Sequence, residues 1–137
     1  MNWKLFRPRR SAPRGRRSIP DRKPDSEKQM VSEDKINEAV RRIVEGFHPV
    51  RVILFGSHAR GTADEMSDVD LLILHPLDGS MTRRQLTTAM DNALYGLSLP
   101  RDIVVMTPEE FESERDIPGT VARPAWLQGK VLYDCAA

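Results

Sequence analysis

From residue 30 onward, apolar positions alternate between helical and strand-like blocks. Ile36, Ala39, Val40, Ile43, Val44 and Phe47 recur at steps of three and four, the spacing of one apolar helix face. Ser32 is the expected N-cap of that helix, with Glu33 and Asp34 in its first turn and an end near Gly46. Val50 to Phe55 (VRVILF) and Val69 to Leu74 (VDLLIL) are continuous apolar runs of strand length. Residues 82–98 return to helical spacing through Leu86, Ala89, Met90, Ala93, Leu94 and Leu97, with Pro100 closing the helix. Ile103 to Met106 (IVVM) reads as a third strand. Thr107-Pro108-Glu109-Glu110 reads as an N-cap, a first-turn proline and two acids. A helical piece around Thr120 to Leu127 then leads into a short strand, Val131 to Tyr133. There is no internal repeat. The alternation predicts an α/β domain.

Residues 1–29 break this pattern. Four prolines and ten Lys/Arg against three Asp/Glu oppose regular structure, so the segment is expected to be a basic disordered tail. Residues 30–137 carry eleven Lys/Arg against seventeen Asp/Glu, so the net charge of +1 hides an acidic body behind a basic arm. The tail admits three readings: a nucleic-acid-binding arm, a transit peptide, or a tail without function, in its sharper form sequence upstream of a true start at Met30. The last is favoured, because nothing before Met30 supports a core. No apolar run approaches the eighteen or so residues of a membrane helix. The single cysteine, Cys135, cannot form an internal disulfide, which fits a reducing compartment such as the cytoplasm.

The chemistry concentrates in residues 56–74, GSHARGTADEMSDVDLLIL. Gly56-Ser57 directly follows a predicted strand. Glycine permits a tight turn and close approach of a ligand, and a helix starting there would offer free amides and the Ser57 hydroxyl to a phosphate. An ordinary strand-to-helix turn reads the same way. Asp68 and Asp70 stand two apart at a strand start and so share a face. Carboxylates held together repel unless a cation lies between them, and hard oxygen ligands suit Mg²⁺. A solvated turn with one capping Asp is the competing reading. Asp102 opens the third strand. If that strand lies beside the second, Asp102 reaches the same place and can complete a two-metal clamp or act as a base. Taken alone it is a loop-end acid.

Gly56-Ser57, ten residues, then Asp68-Val69-Asp70 resembles the signature of the DNA polymerase beta nucleotidyltransferase superfamily. Ala59-Arg60-Gly61 inside the spacer resembles its minimal nucleotidyltransferase branch. The resemblance extends over residues 30–134, through DIVVMTPEEF to LQGKVLYD, and leaves out the tail. It implies a small mixed β-sheet flanked by helices. Gly56 and Ser57 would hold the triphosphate of ATP. Asp68 and Asp70 would bind Mg²⁺, and Asp102 would complete the metal site and help deprotonate the acceptor. Minimal members are often antitoxin partners of HEPN-domain toxins, acting by binding or by adding AMP to a tyrosine. The implied function is therefore AMP transfer from ATP to a partner protein.

Arg60 is expected at the triphosphate or the acceptor; a surface pair with Asp64 or Glu65 is the alternative. His58 is expected to be exposed and auxiliary, and His48 and His75 lack metal-like spacing. Trp126 is expected to pack rather than stack on a base. Met81, Met90 and Met106 are expected in the core. Three other functions stay open: an antitoxin that acts by binding alone, transfer to a small molecule such as an aminoglycoside, and a nucleic-acid enzyme using the tail. A chain of 137 residues has no room for the extra acceptor domain of the aminoglycoside enzymes. A body this small is expected to need a partner or a homodimer to close its acceptor site.

Overall fold

The computed structural model describes residues 25–64 and 67–136. The chain runs α1 (Asp25–Phe47), β1 (Arg51–Phe55), α2 (Ser57–Arg60), β2 (Val69–Leu74), α3 (Arg83–Ala93), β3 (Arg101–Met106), α4 (Pro108–Glu114), α5 (Ala122–Gln128) and β4 (Lys130–Asp134). One four-stranded sheet has the order β3-β2-β1-β4. β1 pairs antiparallel with both β2 and β4, and β2 pairs parallel with β3. This is the small mixed sheet with flanking helices that the family resemblance implies.

The two sheet faces are covered unequally. On one, the apolar stripe of α1 packs with Leu86, Met90 and Leu94 of the α3 segment over Val52, Leu54, Leu71, Ile73, Ile103 and Val105. On the other, Phe111 of α4 and Ala122 and Ala125 of α5 cover Ile53, Leu72, Leu74 and Met106. That smaller cap leaves Phe55 and Val104 only half-buried beside it. β2 is apolar on both faces except at Asp70, because it lies between two neighbours and under both helix layers. A bulge between Val52 and Ile53 in the β1–β4 register turns both Leu132 and Tyr133 toward the α1 side.

The strands fall where the apolar runs place them, but two helix ends do not. α1 begins at Asp25, so Ser32 is inside it rather than its N-cap, and residues 25–29 of the expected tail belong to the helix. No proline or glycine lies between Pro24 and Ser32, so nothing in that stretch stops helix propagation toward the N-terminus. The readings of residues 1–24, and of Glu65 as a partner of Arg60, lie outside the described residues. α3 ends at Ala93, well before Pro100. Gly96 and Ser98 take positive φ angles of 86° and 55°, which unwinds the chain while Leu94 and Leu99 stay buried. Met90 and Met106 are core residues, but Met81 lies outside the core, 37% exposed, in the loop before α3. Trp126 packs edge-on against Phe111, centroids 6.1 Å apart, and its outer ring face is covered by Arg115 at 4.0 Å.

Two capping boxes fix the loops that follow β2 and β3. Thr82 and Gln85 cap α3, and Thr107 and Glu110 cap α4. Glu110 also takes a bidentate pair from Arg83, at 2.8 and 2.7 Å. The Arg83 guanidinium, then the Thr107 amide, hold the Glu110 carboxyl at about 2, below its ordinary 4.5. A depressed acid stabilises the fold above its unfolded value and loses that contribution as pH falls toward the folded one. The pair is partly exposed, so its worth is about 1 kcal/mol or less. Glu110→Gln is expected to lower Tm modestly at neutral pH. The difference from wild type should narrow between pH 4.5 and about 2, as followed by thermal melts.

Candidate active site

The open half of the less-covered face carries the acidic residues. β2 and β3 run parallel in a register that sets Asp70 opposite Asp102, while β1 sets Phe55 opposite Asp70 on the other side. These three positions form one cross-strand row. The face is that of Leu72, Leu74 and Met106, because alternate residues of a strand share a side and those three pack under α4 and α5. Asp68 lies just ahead of β2, two residues before Asp70 and near enough for its charge to act on the Asp70 carboxyl. Asp68 and Asp102 are exposed; Asp70 is half-buried.

The chain turns sharply at Gly56, immediately after β1. Its φ is +80°, a backbone region closed to most side chains. A Cβ at Gly56 would lie 2.1 Å from Oδ2 of Asp70, far inside contact distance. The glycine is thus required twice, by conformation and by the carboxylate pressed against it. α2 is a single turn, with the amides of Ala59 and Arg60 both donating to the Gly56 carbonyl at 3.1 Å. Gly61, at φ 79°, ends it in the left-handed region. A helix this short has little macrodipole, so what it offers an anion is its first amides and the Ser57 hydroxyl. That hydroxyl is half-buried and makes no hydrogen bond among the described residues.

The structure gives His58 a larger part than the sequence suggests. It is half-buried rather than exposed, with Nε2 3.3 Å from the Ser67 carbonyl. Ser67 closes a turn with Asp64 through its hydroxyl, 3.1 Å from Oδ1, and its amide, 3.1 Å from the carbonyl. Asp68 follows directly. His58 therefore ties the glycine turn to the segment that delivers the first acid. Only the spacing of a bond from α2 to the loop nine residues on could have revealed this, and a spacing across an irregular loop is not readable from sequence. Arg60 is exposed, and its charge acts on the Asp70 carboxyl.

The electrostatics converge on Asp70. Burial raises its pKa first, and the charges of Asp102 and then Asp68 raise it further; His58 and Arg60 oppose the rise. All four neighbours were singled out along the sequence, and the fold gathers their fields on one carboxyl. None of the three acids makes a hydrogen bond or ion pair among the described residues. No group of three His, Cys, Asp or Glu among the described residues is closed enough to hold a metal ion. Bare carboxylates repel, so closing around a cation would require the cation's own charge. The donor set is hard, anionic oxygen on one face, which fits Mg²⁺ better than any soft metal. Among the described residues, no helix is long and apolar enough to cross a membrane.

A family model described as a nucleotidyltransferase domain matches residues 33–131. The crystal structure of a candidate nucleotidyltransferase from Sulfolobus solfataricus superposes with a TM-score of 0.59 over 87% of this chain and 95% of that one, at 19% identity. That likeness supports the fold alone. A structure described as a toxin-antitoxin with AMP-PNP aligns over 74% of this chain and 73% of the other, at 25% identity and a TM-score of 0.48, too loose a match to bear on function. No curated protein matches the chain.

Two outcomes follow from this geometry. Gly56→Ala forces its methyl into Asp70 and strains φ, and is expected to cost about 1–3 kcal/mol in chemical unfolding. Asp70→Asn removes a carboxylate whose raised pKa penalises the folded state once the group ionises. The penalty grows as pH rises from 3.8 through the raised value. Thermal melts should therefore show Asp70→Asn more stable than wild type at pH 7, with no gain below pH 3.8. A variant less stable than wild type at pH 7 would contradict the repulsion.

Proposed function

This chain belongs to the nucleotidyltransferase domain family, and on that premise we propose that it transfers AMP from ATP to a hydroxyl of a partner protein, with Mg²⁺ at the site. The observation that carries the reading is the row in which Asp70 faces Asp102 across β2 and β3 while Gly56 lies against Asp70. Nucleotidyl transfer asks a protein for positioning and for neutralised phosphate charge rather than for covalent chemistry. A glycine turn beside three acids supplies a place for a triphosphate and ligands for the cations that accompany it.

In this reading Gly56 gives the phosphates access to the backbone, and Ser57 donates its hydroxyl to a phosphate oxygen. Asp68, Asp70 and Asp102 would hold Mg²⁺, which when bound withdraws charge from the phosphates and the leaving group. Arg60, exposed beside the turn, contacts the triphosphate as a phosphate donor. Asp102 takes the proton of the acceptor hydroxyl. The acceptor oxygen then bonds to the α-phosphorus as the bond to the departing pyrophosphate breaks. Asp102 is the exposed end of the row, which suits a base that must meet an incoming acceptor. The partner is a HEPN-domain toxin, a reading supported by the Ala59-Arg60-Gly61 resemblance.

The test uses the full chain with Mg²⁺, α-labelled ATP and the HEPN-domain product of a neighbouring gene. Label on the partner is expected, with Asp68→Asn slowing transfer at least ~100-fold while leaving Tm at or above wild type. Wild-type transfer by Asp68→Asn would sink the site assignment. Absence of label while the two proteins co-purify would favour an antitoxin that acts by binding alone.

A further inference from the structure

β3 is an edge strand, and its backbone shows which groups face away from the sheet. The carbonyls of Pro100 and Met106 accept from Val69 and His75, both at 2.9 Å, toward β2. Alternate residues of a parallel strand bond to the same side, so Asp102 and Val104 also face β2. Arg101, Ile103 and Val105 therefore present their amides and carbonyls outward. The Val105 carbonyl confirms this, since it accepts from Nη1 of Arg83 at 2.9 Å, a side chain reaching the edge from α3.

That contact also divides the edge. At Val105 it is closed by Arg83, which Glu110 locks from the other side. At Arg101 and Ile103 no strand among the described residues stands beyond the backbone. The Arg101 side chain does not block it: its guanidinium turns back to Asp91 and to the Leu99 carbonyl. Proteins close exposed strand edges with charged side chains to prevent unwanted pairing. Here the closure stops where Asp102 begins. The other edge strand, β4, carries a bulge, which bends a strand away from regular pairing.

We infer that the open edge of β3 at residues 101–103 is a docking rail for the acceptor polypeptide, which adds as a short extended strand and delivers its hydroxyl to Asp102. This rests on the proposal that the acceptor is a protein. The row Phe55–Asp70–Asp102 steps across the sheet from β1 to β3. The phosphate turn at Gly56 lies at its β1 end. The next position in the row, about 4.8 Å beyond β3, is off the edge and on the same face as Asp102. A strand bound there puts one residue beside the Asp102 carboxyl, on the side opposite the phosphate turn. Main-chain hydrogen bonds supply affinity in such additions, and the facing side chain supplies specificity. The open stretch has only two outward-facing residues, so the rail is short and suits a substrate that must leave after transfer.

The experiment uses the full chain, α-labelled ATP, Mg²⁺ and an arrayed set of twelve-residue peptides, each with one Ser, Thr or Tyr. The best-labelled peptides are remade with N-methyl groups on the residues flanking the hydroxyl. In parallel, Ile103→Pro is compared with Ile103→Ala. Both remove side-chain bulk, but only the proline removes an outward amide, and neither touches the bonds to β2. ATP-dependent thermal shift reports whether each variant keeps its fold and nucleotide site. Labelling should fall at least tenfold on N-methylation, and at least tenfold in Ile103→Pro relative to Ile103→Ala. Should the proline variant fail to fold, the N-methyl peptides decide alone. Equal labelling with and without N-methyl groups overturns the rail and leaves protein-directed transfer standing. Label on small hydroxyl compounds but on no peptide overturns both. A homodimer that forms without peptide and is lost only in Ile103→Pro assigns the edge to self-association and overturns the rail.

Discussion

The parallel pairing of β2 with β3 is the constraint on which the site depends. In a parallel pair the two strand starts lie at the same end of the sheet, so acids placed at both starts must meet. Asp70 and Asp102 are thirty-two positions apart in sequence and directly opposite in register. Such a pair requires a crossover, which α3 provides while covering the opposite face. The repulsion built into this arrangement is sustained by the rest of the fold. Every other residue of β2 is buried and apolar, so the strand's position is not negotiable at Asp70.

The unequal cover of the two faces is the second determinant. α1 and α3 bury one side fully, whereas α4 and α5 are seven residues each and cap only the far end of the other. The acids occupy what the short helices leave open. Gly129, after α5, shows how closely that cap is seated: a Cβ there would lie 2.3 Å from the Ala125 carbonyl and 2.6 Å from Ile53. Stability and access are thus separated along one sheet face, with the apolar packing at the ends of β2 and β3 and the charged mouth at their beginnings. The Arg83–Glu110 pair lies at the far end of β3, where it braces the α3 and α4 starts and closes part of the β3 edge.

Much of the fold was legible because its signals are local. The β-branched runs named three strands within one or two residues, and the Thr107-Pro108 sequence named the start of α4. The failures are equally local in cause. Ser32 looked like a cap because capping residues are common just before apolar periodicity, but a cap acts only where the chain stops being helical, and no breaker stands there. Pro100 looked like a terminator, but Gly96 and Ser98 had already turned the chain.

What the sequence by itself determined is the chemical inventory: a glycine-serine turn after a strand, an Asp-X-Asp pair at a strand start, and a third acid at another. Composition and spacing suffice for this because a turn and a two-residue period are short-range properties. Whether those acids meet is a long-range property, and only the tertiary structure decided it, by placing β3 beside β2 in parallel register. The same holds for His58, whose partner is a backbone carbonyl that sequence cannot locate. It holds for the contact between Gly56 and Asp70 as well, which turns a permissive glycine into an obligatory one. The free edge of β3 is likewise visible only once strand order is known, because an edge is defined by the neighbour a strand lacks.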